Sequence, residues 1–203
     1  MEDTEIKHVL EAALLAATKP LPVDKLVGLF VTKAPDVDKE IVLNALTVLA
    51  NDYEDRGLQV QEVASGFRIQ IRSRMAGWLQ PLWEERPPRY SRALLETLSL
   101  IAYRQPITRS EIEDVRGVAV NPNIIRTMLE RELIRVVGHR DVPGKPEMFG
   151  TTKEFLDYFG LRSIDELPAL AEINEDGPQV SPQADLIEGL EAVGEDATAS
   201  ESN

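Results

Sequence analysis

Apolar positions in the first seventy residues keep one spacing and then switch to another. Ile6, Val9, Leu10, Ala13, Leu14 and Ala17 recur every three or four residues, which is the stripe of an amphipathic helix. Pro20 and Pro22 stop it. Asp24 is placed to cap a short second helix carrying Leu26, Val27 and Phe30. After the break at Pro35-Asp36-Val37-Asp38, a third helix carries Val42, Ala45, Leu46, Leu49 and Tyr53, and Arg56-Gly57 ends it. The period then falls to two. Leu58 and Val60 alternate with Gln59 and Gln61, and Phe67, Ile69 and Ile71 alternate with Arg68, Gln70 and Arg72. With Ser65-Gly66 as the turn, this predicts a β-hairpin with one buried face.

The same order then recurs. Ser91 is placed to cap a helix with Leu94, Leu98, Ile101 and Ala102 inward, ended by Gln105-Pro106. Thr108-Arg109-Ser110-Glu111 is a capping box opening a helix that buries Ile112 and Val115 and stops at Gly117. Asn121-Pro122 opens a third helix with Ile125, Met128 and Leu129 on its apolar stripe. Leu133 to Val137 predicts a strand, Asp141-Val142-Pro143-Gly144 a turn, and Met148-Phe149 the returning strand. Thr151-Thr152-Lys153-Glu154 predicts another capping box, before Phe155, Leu156, Tyr158 and Phe159. A last short turn starts at Ser163. Three helices closed by a hairpin is the winged-helix pattern. The expected fold is therefore mainly α with small β-hairpin wings, an α+β chain of two tandem winged-helix domains. Residues 1–74 form the first, 75–89 a proline-rich linker, 90–173 the second and 174–203 a disordered acidic tail.

Composition supports that division. The length of 203 residues suits two small domains. Aromatics are only 5%, so the cores must be built from Leu, Ile, Val and Ala. The net charge is −13, yet eleven acidic residues and one basic residue lie from Leu161 onward, which leaves −3 for the preceding chain. A polyanion would be repelled by the tail and not strongly drawn to the body. Beyond about Asn174 few large apolar residues remain to offset ordering entropy. Trp78 and Trp83 in the linker are expected to pack it against a domain.

The chain has no cysteine, which excludes disulfides, thiolate zinc sites and a cysteine nucleophile. His8 and His139, far apart, are expected to be surface or structural residues and not metal ligands. There is no glycine-rich phosphate loop, nucleophile elbow or HExxH, and no cofactor is expected. The acidic N-terminus argues against a secretory signal, and no apolar run reaches the roughly 20 residues that span a bilayer. The expectation is a cytoplasmic protein.

The stretch SRALLETLSLIAYRQPITRSEIEDVRGV, from Ser91 to Val118, resembles the signature of the segregation and condensation protein B (ScpB) family. The likeness continues through LIRVVG at Leu133 to Gly138, PGKPEMFGTT at Pro143 to Thr152 and EFLDYFGLRSIDELP at Glu154 to Pro168. It is weaker in the first unit, where Ser65-Gly66-Phe67-Arg68 carries it. Glu132 stands where the family commonly has glycine, Gly138-His139 where it has Gly-Arg, and Lys145 where it has arginine. The loop Val118 to Asn123 also departs from the pattern.

The resemblance implies a non-enzymatic subunit of the bacterial SMC–kleisin complex that supports chromosome condensation and segregation in cell division. It implies a nucleoid-associated homodimer, formed through the N-terminal domain, that binds the kleisin subunit ScpA and through it the SMC ATPase. DNA contact would be weak or indirect. Ile41, Leu43 and Val48, off the main stripe of the third helix, suit such a dimer face. The expected partner-binding residues are Tyr103, Arg104, Gln105, Arg109 and Arg116. Capping explains Pro106, Thr108 and Gly117 but not these arginines. They either form surface ion pairs with Glu111, Glu113 or Asp114, or present a surface to the kleisin. The alternative reading is a winged-helix DNA-binding regulator, against which stand the acids interspersed in both third helices.

Overall fold

The computed structural model describes residues 2–82 and 90–168. The chain is mixed α+β, with helices and small antiparallel sheets. Its contacts divide it into two compact units, Met1–Pro87 with Phe159–Asn203, and Pro88–Tyr158. The expected tail and Trp83 lie outside the described residues.

In the first unit, α1 (Asp3–Ala16) buries Ile6, Leu10 and Leu14 along one stripe. They meet Leu26 of α2 (Val23–Gly28) and Val42, Leu46 and Leu49 of α3 (Lys39–Asp52). Each such buried aliphatic side chain contributes roughly 1.5–3 kcal/mol relative to exposure. Asp38 caps α3 by accepting from the Ile41 amide at 2.9 Å. Asp24 does not cap α2. Pro22 holds the cap position, and Asp24 lies within the first turn, where its charge suits the helix dipole. Tyr53 closes α3, and its hydroxyl donates to Glu11 at 2.6 Å, joining the third helix to the first.

Strands β1 (Leu58–Val63) and β2 (Gly66–Ile71) pair antiparallel, with Leu58 opposite Ile71 and Val60 opposite Ile69. Leu21 and Phe67 exchange two backbone hydrogen bonds of 2.8 and 2.9 Å, which fasten the segment after α1 to the hairpin. Gly66 makes that approach possible: its φ is +138°, and a Cβ there would stand 2.2 Å from the Leu21 carbonyl oxygen. Two residues from the far end of the chain's described part complete the unit. The Ala64 amide donates to Leu161 O at 2.9 Å, and Gln61 donates to Gly160 O at 3.2 Å.

After β2 the chain makes successive helical turns, including α4 (Ala76–Leu79). Trp78 does not pack there; it is 83% exposed.

In the second unit, α5 (Arg92–Arg104) is capped by Ser91 and buries Leu94, Leu98, Ile101 and Ala102. The Gln105-Pro106 peptide bond is cis. Strand β3 (Ile107–Thr108), which the sequence pattern does not reveal, leads into α6 (Arg109–Arg116). The Thr108–Glu111 capping box forms as its spacing predicts, and Gly117 ends α6 in the left-handed region. Ile112 is buried, but Val115 is 43% exposed.

Next come α7 (Pro122–Glu130), β4 (Ile134–His139) and β5 (Glu147–Thr151), and the sheet order is β3-β5-β4. The ladder slips between Val136 and Gly138. Helix α8 (Lys153–Phe159) buries Phe155. It starts from Thr152, whose hydroxyl accepts from the Phe155 amide, and not from a Thr151–Glu154 box, because Thr151 is engaged elsewhere.

Candidate functional site

The five residues singled out in sequence all lie around the junction of α5 and α6, but the fold uses them differently. Gln105 is a structural fastener. Its side-chain oxygen accepts from the Thr151 amide at 2.7 Å and the Thr151 hydroxyl at 3.1 Å. Its amide nitrogen donates to Ala102 O at 3.2 Å and Thr151 Oγ1 at 3.0 Å. One side chain thus ties the end of α5 to the end of β5. The space is close, since a Cβ on Gly150 would lie 2.9 Å from the Gln105 oxygen.

Arg109 reaches Glu113 one turn along at 3.0 Å and donates to Val120 O at 2.7 Å. Glu113 in turn accepts from the Val120 amide at 2.9 Å. That amide, followed by Arg109, holds the Glu113 carboxyl below the usual carboxylate range. The pair of contacts anchors the loop between α6 and α7, whose Val120 is buried.

Arg116 donates to Glu96 at 3.2 Å, with its side chain only 12% exposed, and so ties α6 back to α5. Glu96 also accepts from Arg92 at 2.9 Å. Arg92 first and Arg116 second lower its pKa. Of the three acids expected as arginine partners, only Glu113 takes one of these arginines. Glu96 is an acid the sequence reading does not name.

Tyr103 is half-buried and engaged within the fold. Arg104 differs from the rest. It is exposed and makes no hydrogen bond or ion pair among the described residues. Arg104 lines an open cleft of about 350 Å³ together with Pro106, Ile107, Glu111, Asp114, Val115 and Arg140.

Sequence reasoning misses the partner of Glu111. Arg140, at the end of the β4–β5 hairpin, donates to both carboxylate oxygens at 2.6 and 2.8 Å. Glu111 also accepts from the Thr108 amide at 2.8 Å. Arg140 foremost, then that amide, lowers its pKa to about 2. The cleft wall therefore carries a neutralised Glu111–Arg140 pair and two charges without partners, Arg104 from α5 and Asp114 from α6. A separation of 29 residues between Arg140 and Glu111 leaves no local pattern to read.

No group of three or more His, Asp or Glu among the described residues could hold a metal ion. No described helix is long and apolar enough to cross a membrane. What the arrangement offers chemically is a small, mainly charged cleft whose lining includes Arg104 and Asp114, neither held in an ion pair among the described residues.

A family model described as the segregation and condensation complex subunit ScpB matches residues 8–170, across both units. The chain belongs to that family. It is 56% identical over 173 residues to the segregation and condensation protein B homolog of Coxiella burnetii, covering 85% of this chain and 82% of that one. It is 40% identical over 177 residues to segregation and condensation protein B of Syntrophotalea carbinolica, covering 86% and 87%. A crystal structure of ScpB from Mycobacterium tuberculosis is similar at 34% identity, with a TM-score of 0.36, covering 79% of this chain and 98% of that one.

Proposed function

We propose that this protein is a non-catalytic subunit of a bacterial SMC–kleisin complex that supports chromosome condensation and segregation at the nucleoid. Each unit is read as a winged helix, its β1–β2 or β4–β5 hairpin forming the wing. The observation that carries the reading is the family match to a segregation and condensation complex subunit across both units. In this role the partners are the kleisin subunit ScpA and, through it, the SMC ATPase.

Dimerisation is assigned to the first unit. Leu15, Leu29, Val31, Leu43 and Val48 remain exposed there, more large apolar surface than a single small unit needs. Kleisin binding is assigned to the α5–α6 junction of the second unit. Arg104 is the presenting cation, while Gln105, Arg109 and Arg116 hold the elements that carry it. The DNA-regulator alternative gains no support from α7, where Arg126 is paired with Glu130 at 2.6 Å.

The test is a titration of the protein with purified ScpA in a calorimeter, beside light scattering of the free protein. Micromolar or tighter binding to ScpA and a two-chain mass are expected. Absence of ScpA binding, together with tight DNA binding at physiological salt, would replace the reading with the regulator.

A further inference from the structure

The exposed aliphatic residues of the first unit differ in their setting. Leu43 and Val48 lie on α3, where Lys39 is held by Asp24 at 4.0 Å. Leu29, 47% exposed, and Val31, 64% exposed, flank the buried Phe30 in the turns that follow α2. Lys25 precedes Leu29 by four residues, and Leu29 closes α2 in helical conformation, so the two share a face. Lys33 follows Val31 by two residues. Both lysines are exposed, and neither holds an ion pair among the described residues. Nothing stands within 4 Å of where a Cβ on Gly28 would lie, so no side chain crowds this shelf. The result is an aliphatic patch with a cation at each end.

The same chain carries the complementary chemistry outside the described residues. From Asp185 to Asp196 the sequence holds five acids, no base, and the aliphatic residues Leu186, Ile187, Leu190 and Val193. Leu186, Leu190 and Val193 keep the spacing of a single helical face. They are too few to form a core of their own, but enough to cover a patch. The described part of the chain also brings this segment's tether to the right place. The Ala64 amide holds Leu161 O, Gly66 lies against Leu21, and Leu21 is two residues before α2. Asp185 is 17 residues past Pro168, a length that extends to about 55–60 Å and as a coil averages about 20–25 Å. Helix α2 itself is only about 9 Å long. A tether of this kind raises the local concentration of the segment to the order of millimolar, so weak contacts suffice.

We propose that the segment from Asp185 to Asp196 docks in cis on the α2 patch of the first unit, its aliphatic residues on Leu29 and Val31 and its carboxylates on the Lys25 and Lys33 ammonium groups. The segment is then a built-in cover for one part of the first unit's apolar surface, and it leaves Leu43 and Val48 on α3 to other contacts. Its charge contacts are solvent-facing, so salt loosens the cover, while the aliphatic contacts fix where it sits.

Carbodiimide cross-linking of the full chain, read by mass spectrometry, tests the contact directly, because this reagent joins a lysine amine to a carboxylate only where the two touch. Lys19 is the control, an exposed lysine two residues before Leu21 and so close to the same tether. Lys25 and Lys33 should link to Asp185, Glu188 or Glu191 roughly fivefold more often than Lys19 does. The yield should fall roughly threefold or more in Leu186→Ser/Leu190→Ser and in Leu29→Ser/Val31→Ser, as expected when aliphatic contacts are lost. Thermal melting checks that each variant is folded, and the Leu186/Leu190 pair carries the test should the Leu29/Val31 pair disturb the first unit. Absent links, or equal links at Lys19, overturn the docking. An unchanged yield in both folded variants reduces the contact to charge alone and also overturns it. A mixture of nitrogen-15-labelled and unlabelled chains separates the two possible sources of the segment. Links within one label support docking in cis, and links mainly between labels make the occupant a second copy's segment and overturn it.

Discussion

The two units use one element order and secure it by different chemistry. The first fastens its hairpin to the preceding segment by backbone approach, while side chains such as Tyr53 on Glu11 join its helices. Its hairpin is fastened where Leu21 meets Phe67, at a spot where only glycine fits at position 66. The second relies on side chains. Gln105 fastens α5 to β5, Arg140 clamps the hairpin end to α6, and Glu96 and Glu113 hold arginines that link neighbouring elements. Backbone approach is unforgiving of a single methyl group. Side-chain fasteners can be lost one at a time, and some of them respond to pH. Both units leave aliphatic residues exposed, Leu15, Leu29, Val31, Leu43 and Val48 in the first and Val115, Val118, Val136, Val137 and Val142 in the second.

The sharpest way to break this contrast is Gly66→Ala. The added carbon would collide with the Leu21 carbonyl in a backbone region that side chains avoid, so a loss of roughly 3 kcal/mol or more is expected. Chemical denaturation should show it on the first unit's transition. Gln105→Ala, in the second unit, removes acceptors for the Thr151 amide and hydroxyl at once. A cost of about 1–3 kcal/mol is expected, read by the same method.

A change of opposite sign should follow Glu132→Gly. Glu132 holds φ +54° in the turn between α7 and β4, the left-handed conformation in which glycine carries no penalty. The variant should gain about 1 kcal/mol, seen as a raised Tm of the second unit. The smallest effect belongs to Glu111. Its pKa is lowered to about 2 in the folded chain, so its contribution is full above its ordinary value and fades as pH falls toward 2. Glu111→Gln should flatten that acid limb of the stability curve while changing the neutral-pH value little, since the pair is largely solvent-facing. An unchanged acid limb would show that the clamp on Arg140 carries no linkage.

Helical stripes and most caps are legible because they are local; the caps expected at Asp24 and Thr151 are the exceptions. Ile6, Leu10 and Leu14, or Thr108 with Glu111, announce their roles within one or two turns. The β1–β2 hairpin is legible from alternation, but its turn falls at Ala64-Ser65, one residue before the expected Ser65-Gly66, because Val63 pairs with Gly66. Features set by distant partners were not legible. Strand β3 is two residues long and exists only because Phe149 and Met148 lie opposite. Val115 reads as core by spacing, yet it is left 43% exposed among the described residues. Trp78 reads as a packing residue by its size, but the helical turn that carries it presents it outward. At the site, residue types and neighbourhood were readable; which arginine remains unengaged was not. That depended on Glu96 and the Val120 carbonyl arriving from other parts of the fold.

The hydrogen bonds from Ala64 to Leu161 and from Gln61 to Gly160 make the first unit discontinuous along the chain. During synthesis, α1 through β2 leave the ribosome early, but the strip that finishes their hairpin emerges only after all of the second unit. At roughly 5–20 residues per second that is a delay on the order of several seconds. Through that interval the β1 residues Gln61 and Glu62 and the turn at Ala64 lack their final neighbours. Gly160 and Leu161 therefore act as a late-arriving seal, and the nascent chain's first unit reaches its finished form only after the whole second unit has been made.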